Sequence, residues 1–102
     1  MSLTTEQRTL LTVITEAVIE KPLLRDFDRL GARGYTVSDA RGRGSRGLRD
    51  ASWDEAANIR IEVICPRAMA EDLISHLAAH YYDDYAMVAF LQDVAILRGK
   101  KF

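Results

Sequence analysis

The sequence predicts an α+β fold in which one antiparallel sheet carries two helices on one of its faces. Three observations lead to this prediction. Apolar and β-branched residues cluster in four short runs, apolar residues repeat at helical spacing in two other segments, and a proline stands near the start of each helical segment. The chain has 102 residues, 48% of them apolar, which suffices for one core, so we expect a single domain over residues 1–102.

The first half of the chain predicts a strand, a helix and a second strand. The run Leu-Leu-Thr-Val-Ile at residues 10–14 is typical of a strand. Pro22 suits the first turn of a helix over residues 21–32, whose apolar positions are Leu23, Phe27 and Leu30. Residues 35–37 are strand formers, and they lead into a long segment, residues 41–57, that has neither helical nor strand periodicity.

The second half predicts the remaining strand, helix and strand. Residues 59–65 largely alternate between apolar and charged side chains, as a half-buried strand does. Pro66 opens a helix whose apolar residues lie four apart, at Met69, Leu73, Leu77 and Tyr81. Residues 86–97 form the last strand, which we expect to be the longest. This order of elements is the ferredoxin-like βαββαβ arrangement.

The last predicted strand is apolar on both of its faces. One face carries Met87, Ala89 and Leu91, and the other carries Val88 and Phe90. An outer face of this kind is too apolar for contact with solvent, and such a patch on a small protein usually marks an interface. We therefore expect the chain to oligomerise through its sheet.

Charge and cysteine content restrict the possible functions. Fourteen lysines and arginines stand against 15 aspartates and glutamates, so any electrostatic partner must be recognised by a local patch. No stretch approaches the roughly 20 apolar residues of a membrane span, and the first residues lack a signal-peptide pattern. A single cysteine, Cys65, allows no internal disulfide, and we expect a cytoplasmic protein.

A local basic patch lies at residues 41–49. Its arginines, glycines and serine are Arg41, Arg43, Arg46, Arg49, Gly42, Gly44, Gly47 and Ser45. Glycines let the backbone approach a ligand closely, and guanidinium groups bind phosphate through paired hydrogen bonds. The composition favours an anion site, with an RNA-binding surface and a solvated loop as alternatives. The patch contains no aromatic residue, which argues against single-stranded RNA.

Other positions suggest chemistry less strongly. His76 and His80 are four residues apart on the second helix, and Asp83 and Asp84 follow, so a zinc site is one alternative to a surface or interface role. Cys65 has the buried parity of its strand and is expected to pack in the core. No nucleophile, base and orienting group occur together in a known motif, so we expect no enzymatic activity.

These features together resemble the PII-like signalling proteins of inorganic-carbon metabolism. The residues that carry the resemblance, besides the element order, are Gly-Tyr-Thr-Val at 34–37, the basic patch at 41–49, the strand at 58–65 and the Asp-Tyr-Ala turn at 84–86. The chain is most similar to the carboxysome-associated and bicarbonate-transporter-associated branch. The resemblance implies trimers that bind adenine nucleotides in clefts between subunits, and a long T-loop, here residues 41–57, that engages a membrane transporter.

The resemblance also implies a nucleotide site. The GxGSRxxR pattern of the branch is matched by Gly42, Gly44, Ser45, Arg46 and Arg49. Within it, Ser45, Arg46 and Arg49 would hold the phosphate, and Arg46 and Arg49 would also attract bicarbonate as a second ligand. The nucleobase would lie against strand backbone and reach across to the later turn, at Thr36, Val37, Tyr85, Ala86 and Met87. No metal is implied.

The sequence departs from the nitrogen-sensing PII proteins at two points. Those proteins carry a T-loop glutamine, used with Mg-ATP and 2-oxoglutarate, and a Gly-Asp-Gly-Lys turn whose lysine reaches the distal phosphates. Here Arg46 replaces the glutamine and residues 85–88 replace the turn, so the site is expected to favour AMP or ADP over ATP. The implied protein is a homotrimeric sensor of carbon or energy status. Its partner would be a bicarbonate transporter or a carboxysomal protein, not a nucleic acid.

Overall fold

The computed structural model describes residues 4–42 and 57–97, and within them it contains the predicted strands and helices in the predicted order. The elements are β1 (Glu6–Glu16), a 3₁₀ turn (Ala17–Ile19), α1 (Glu20–Arg29), β2 (Thr36–Ala40), β3 (Asn58–Cys65), α2 (Arg67–His80) and β4 (Met87–Ile96). The strands form one antiparallel sheet in the order β2-β3-β1-β4. β1 and β3 are therefore central, and β2 and β4 are the two edges.

The largest difference from the sequence prediction is the length of β1. This strand was predicted over residues 10–14 but has 11 residues, against 10 in β4, so the expectation that the last strand is the longest is wrong. Its polar ends belong to the strand because neighbours pair with them: Glu6 lies opposite Ile96 of β4, and Glu16 lies opposite Asn58 of β3. Pairing with two strands therefore extends β1 beyond its apolar run.

Helix α1 ends at Arg29, before the predicted end at residue 32. Gly31 has a φ of 102°, in the left-handed region that favours glycine. Its N–H donates to the carbonyl of Asp28 at 3.1 Å, and the N–H of Ala32 donates to the carbonyl of Phe27 at 3.0 Å. Gly31 thus closes the helix by satisfying carbonyls that would otherwise end unpaired.

The core lies between the sheet and the two helices. The register places Leu11 opposite Val63 and Leu91, so odd-numbered residues of β1, β3 and β4 share the face that the helices cover. The largest fully buried apolar side chains there are Phe27, Leu11, Leu23, Ile61, Leu73, Leu77, Val13 and Val63. Cys65 is buried as predicted, and burial raises the pKa of its thiol.

The opposite face of the sheet is covered by no helix of the described segments, and we call it the helix-free face. Its larger apolar residues are Leu10, Ile14, Ile64, Val88, Phe90, Val94 and Ile96. Val88 and Phe90 remain 46% and 37% exposed, whereas Met87 on the other face is buried. The two apolar faces predicted for β4 are therefore both present, and one of them faces outward. Among residues 4–42 and 57–97, no helix has the length and apolar character needed to cross a membrane.

Candidate functional site

Four segments meet at one end of the sheet, which we call the loop end. The register places Ala40 of β2 opposite Asn58 of β3, and Asn58 opposite Glu16 of β1. Thr15 lies opposite Met87, so Ala86 stands just before β4 at the same end. The segment that joins β2 to β3 leaves and rejoins the sheet here, beside the turn that leads into β4.

The point where that segment rejoins the sheet is held by a backbone hydrogen bond. The N–H of Ala17 donates to the carbonyl of Ala57 at 2.7 Å, which ties the start of β3 to the end of β1. On the other side, Arg41 and Gly42 are exposed, and a Cβ added to Gly42 would meet nothing within 4 Å. The predicted phosphate ligands, Ser45, Arg46 and Arg49, lie outside the described residues, as does Gly44 of the same pattern.

The turn before β4 is held through the backbone of Ala86. Its N–H donates to Oε2 of Glu16 at 2.7 Å, and its carbonyl accepts a hydrogen bond from the Thr15 hydroxyl at 2.8 Å. Both backbone polar groups of Ala86 are therefore engaged within the chain. Of the residues predicted to touch the nucleobase at this turn, Met87 is buried in the core and Tyr85 is half-buried against it.

Sequence reasoning missed the two side chains that hold Ala86. Thr15 and Glu16 directly follow the predicted strand at residues 10–14, and polar residues at a strand end are too common to indicate a role. Their partner lies about 70 residues further along the chain, in a turn. The signal that could have found them is the predicted antiparallel pairing of the first and last strands, which brings the end of one to the start of the other.

The start of the same turn is held by a group of side chains that we call the Asp26 clasp. Oδ2 of Asp26 on α1 accepts a hydrogen bond from the Tyr81 hydroxyl at 2.6 Å and lies 2.9 Å from Nε2 of His76 on α2. Arg29 forms an ion pair with the other carboxylate oxygen. The clasp joins the two helices at the point where α2 ends.

Hydrogen bonds and burial determine which groups of the Asp26 clasp carry protons. Burial alone would raise the pKa of Asp26, but hydrogen bonds from Tyr81, His76 and Arg29 outweigh it and hold this pKa well below its usual range. Because an ionised carboxylate only accepts, Nε2 of His76 must carry the donated proton. Burial and the hydrogen bond to Asp26 raise the pKa of Tyr81 to about 12, so its hydroxyl remains a donor at neutral pH.

Tyr81 transmits this anchoring to the turn. Its carbonyl accepts hydrogen bonds from the N–H groups of Asp84 and Tyr85, each at 3.1 Å. Residues 81–86 are thus fixed at their start by the clasp and at their end by Thr15 and Glu16.

The zinc alternative does not gain support from the geometry of the two histidines. The ring centroids of His76 and His80 are 4.4 Å apart, and His76 is committed to Asp26. In the part of the chain that the structure describes, no three His, Cys, Asp or Glu side chains form a group that could hold a metal ion. His76 has a structural partner instead.

The predicted nucleobase contacts fall into two sets on opposite edges of the sheet. Thr36 and Val37 lie on β2, whereas Ala86 and Met87 lie at the start of β4. β3 and β1 stand between them, which corresponds to three strand spacings, or roughly 14 Å. A single chain therefore does not bring the two sets together.

Comparisons with known proteins find similarity over nearly the whole chain. The family model for the nitrogen regulatory protein P-II matches residues 8–101. A protein of Thermus thermophilus, described as a PII-like signalling protein, is 38% identical and has a TM-score of 0.82 over 98% of this chain and 99% of its own. This relative shares both sequence and fold with the chain.

Two further structures share the fold at lower identity. CPII of Thiomonas intermedia K12, solved with ADP and bicarbonate, is 23% identical, with a TM-score of 0.85 over 99% of both chains. GlnK of B. subtilis, solved with ATP, is 16% identical, with a TM-score of 0.57 over 86% of this chain and 82% of its own. The ferredoxin-like architecture is common to all of them.

Proposed function

The chain belongs to the nitrogen regulatory protein P-II family, and on that premise we propose that it is a non-enzymatic sensor of adenine nucleotide and bicarbonate. It prefers AMP and ADP to ATP and acts as a homotrimer. Its T-loop, residues 41–57, reports the bound state to a membrane bicarbonate transporter or a carboxysomal protein. The observation that carries the proposal is that the segment containing the basic patch leaves and rejoins the sheet at the loop end.

The chemistry of the basic patch suits a phosphorylated ligand. Four arginines between residues 41 and 49 supply guanidinium groups, and Ser45 adds a hydroxyl donor. The segment that holds them begins just after Ala40 of β2 and ends at Ala57, which Ala17 fixes in place. The arginines therefore belong to a segment whose end, at Ala57, is tied to the sheet by a backbone hydrogen bond.

The division of the candidate contacts between two sheet edges supports a site between subunits. Thr36 and Val37 lie on one edge, and Ala86 and Met87 lie at the other. In a closed ring of identical subunits, one edge of each copy can face the opposite edge of its neighbour. One nucleotide then contacts both sets, which no single chain allows.

The helix-free face supports the trimer itself. Val88 and Phe90 are partly exposed there, next to other apolar side chains of β1 and β3. An outward apolar surface on so small a protein is stabilised by contact with another copy. We assign the subunit contacts of the trimer to this face and its edges.

The choice of ligand follows from charge and from the relatives. CPII of Thiomonas has been solved with ADP and bicarbonate, and also with ADP, AMP and acetate, which supports the same ligand class here. Arg46 and Arg49 can neutralise one or two phosphates, whereas a triphosphate brings about four negative charges with less to pair them. AMP and ADP are therefore preferred.

Calorimetric titration of the purified protein with AMP, ADP and ATP, each with and without saturating bicarbonate, tests the proposal. We expect micromolar binding of AMP or ADP that bicarbonate strengthens, and by linkage the nucleotide must strengthen bicarbonate binding equally. Light scattering on the same sample should give the mass of a trimer. Failure of all three nucleotides to bind a confirmed trimer would contradict the proposal.

A pair of arginine variants locates the phosphate. Arg46→Ala should lower the affinity for AMP roughly ten- to a hundredfold, because a phosphate loses a charged hydrogen-bond partner. Arg67→Ala is the matched control, since Arg67 follows the end of β3 that is remote from the loop end and pairs with Glu71 at 3.1 Å. Unchanged AMP binding in Arg46→Ala would refute the phosphate assignment.

The same titrations separate the sensor from an RNA-binding module. Binding of RNA through the arginines would fall steeply with salt, and mononucleotides would not compete with it. We expect AMP to compete with RNA for the protein. We also expect the binding of AMP to depend only weakly on salt.

A further inference from the structure

The Glu16 carboxylate occupies an unusual position at the loop end. It accepts a hydrogen bond from the N–H of Ala86 at 2.7 Å, across about 70 residues of sequence. Glu16 is also the last residue of β1, immediately before Ala17, which binds the carbonyl of Ala57. A negative charge therefore stands between the turn that precedes β4 and the point where the T-loop returns to the sheet.

The hydrogen bond that Glu16 makes is one that a phosphate oxygen could make. Backbone N–H groups in turns are common donors to anionic oxygens. Here the N–H of Ala86 is already taken by a carboxylate, which occupies the donor and adds a charge of the same sign as a phosphate. A further phosphate approaching this turn would meet an occupied donor and a like charge.

The position of this carboxylate is fixed by its surroundings. The Thr15 hydroxyl holds the carbonyl of Ala86 at 2.8 Å, and the Asp26 clasp holds the start of the turn through Tyr81. The turn cannot move away from Glu16 without breaking these bonds. A ligand therefore meets the charge where it stands.

We propose that Glu16 is a specificity-determining residue that disfavours nucleotides with additional phosphates at the loop end. The inference rests on the proposed nucleotide-binding function and adds a repulsive element to it. The Glu16 carboxylate raises the free energy of binding with each phosphate placed near the Ala86 turn. Glu16 of β1 would then be one cause of the preference for AMP and ADP over ATP.

The test is calorimetric titration of the full chain with AMP, ADP and ATP for the wild type and for Glu16→Gln. The glutamine side chain keeps a carbonyl oxygen that can accept the bond from Ala86 but removes the charge. We expect the ratio of the ATP dissociation constant to that of AMP to fall roughly three- to tenfold, as expected for removal of one nearby like charge in a partly solvated site. ADP should change by an intermediate factor.

Two further variants protect the test against trivial explanations. Glu16→Ala also removes the charge and should shift the ratio in the same direction, so the proposal is tested even if one of the two variants fails to fold. Glu71→Gln removes the same charge from the exposed surface of α2, where Glu71 pairs with Arg67, and should leave the ratio unchanged.

The outcomes separate this inference from the proposed function. Suppose that the wild type binds AMP and that every Glu16 variant that folds keeps the wild-type ratio of the ATP to the AMP dissociation constant. Glu16 then only stabilises the turn, and the inference is overturned. An equal shift in Glu71→Gln would also overturn it, because net charge alone would then explain the change. If the wild type binds none of the three nucleotides, the proposed function and this inference both fail.

Discussion

The two faces of the sheet are built from the same strands and differ sharply in what covers them. On the helix-covered face, Leu11, Val13, Ile61 and Val63 are completely buried beneath α1 and α2. On the helix-free face, Val88 and Phe90 of β4 remain partly exposed. Successive residues of a strand point to opposite faces of the sheet. Neighbouring residues of one strand therefore lie in the closed core and on the open apolar surface in turn.

This difference shows that a single subunit buries only one of the two apolar faces of its sheet. The helix-covered face needs no second chain, because the two helices exclude water from it. The helix-free face becomes buried only when something else contacts it, which in the proposed trimer is another copy. Folding of the subunit and assembly of the proposed trimer therefore depend on different residues of the same strands.

The largest expected effect comes from breaking the helix-covered face. Phe27→Ala removes a completely buried ring from α1 and leaves a cavity against the sheet. We expect the free energy of unfolding to fall by about 3–5 kcal/mol, measured by urea denaturation. The control Val18→Ala, at a position that is 75% exposed, should change it by less than about 0.5 kcal/mol. A loss below about 2 kcal/mol for Phe27→Ala would show that this core is not tightly packed.

The second effect comes from releasing the clasp that holds the two helices together over that face. Asp26→Asn weakens the hydrogen bonds to Tyr81, His76 and Arg29, and we expect a loss of about 1–3 kcal/mol at neutral pH. Asp28→Asn, at an exposed position of the same helix, is the control and should change stability by less than about 0.5 kcal/mol.

The loss in Asp26→Asn should depend on pH in a defined direction. The folded state lowers the pKa of Asp26, so its carboxylate stabilises the protein fully above the ordinary aspartate pKa of about 4 and progressively less as the pH falls toward the lower folded value. The difference between wild type and variant should therefore shrink when denaturation is repeated at successively lower pH below about 4. A difference that stays constant would mean that the charge of Asp26 does not stabilise the clasp.

The smallest effect on folding should come from the helix-free face. A double change, Val88→Ser with Phe90→Ser, removes apolar groups that are already partly exposed in the subunit, so the free energy of unfolding of the subunit should fall by no more than about 1–2 kcal/mol. The mass measured by light scattering should nevertheless fall from trimer to monomer. Leu97→Ser, also exposed but just beyond β4, is the control and should leave the mass unchanged. An unchanged mass in the double variant would place the subunit contacts elsewhere.

Local patterns in the sequence were sufficient to predict the element order and the core. The alternation in residues 59–65 identified the inward residues of β3, and the helical repeat placed Phe27 in the core. The full length of β1 could not be predicted in this way, because its polar ends are strand only through pairing with Ile96 and Asn58. The apolar periodicity of a segment indicates which of its residues are buried. The ends of a strand depend instead on pairing with strands that are distant in sequence.

The candidate site was harder to predict for the same reason. The basic patch is visible as composition, but the bonds that hold the turn at the loop end join Ala86 to Glu16 and Tyr81 to Asp26, pairs separated by 70 and 55 residues. The predicted nucleobase contacts remain a prediction, and their division between two edges follows only from the strand order. A single sequence carries no direct signal for contacts of that range.

The bond between Ala17 and Ala57 has a consequence for how the segment between β2 and β3 can vary in length. It ties Ala57, just before β3, to the end of the central strand β1. The entropic cost of joining two anchored ends rises slowly with length, by about 0.6 kcal/mol for each doubling. Insertions, deletions and exchanges between Gly42 and Ala57 should therefore be tolerated by the fold. Such changes should leave the pairing of the four strands as it is.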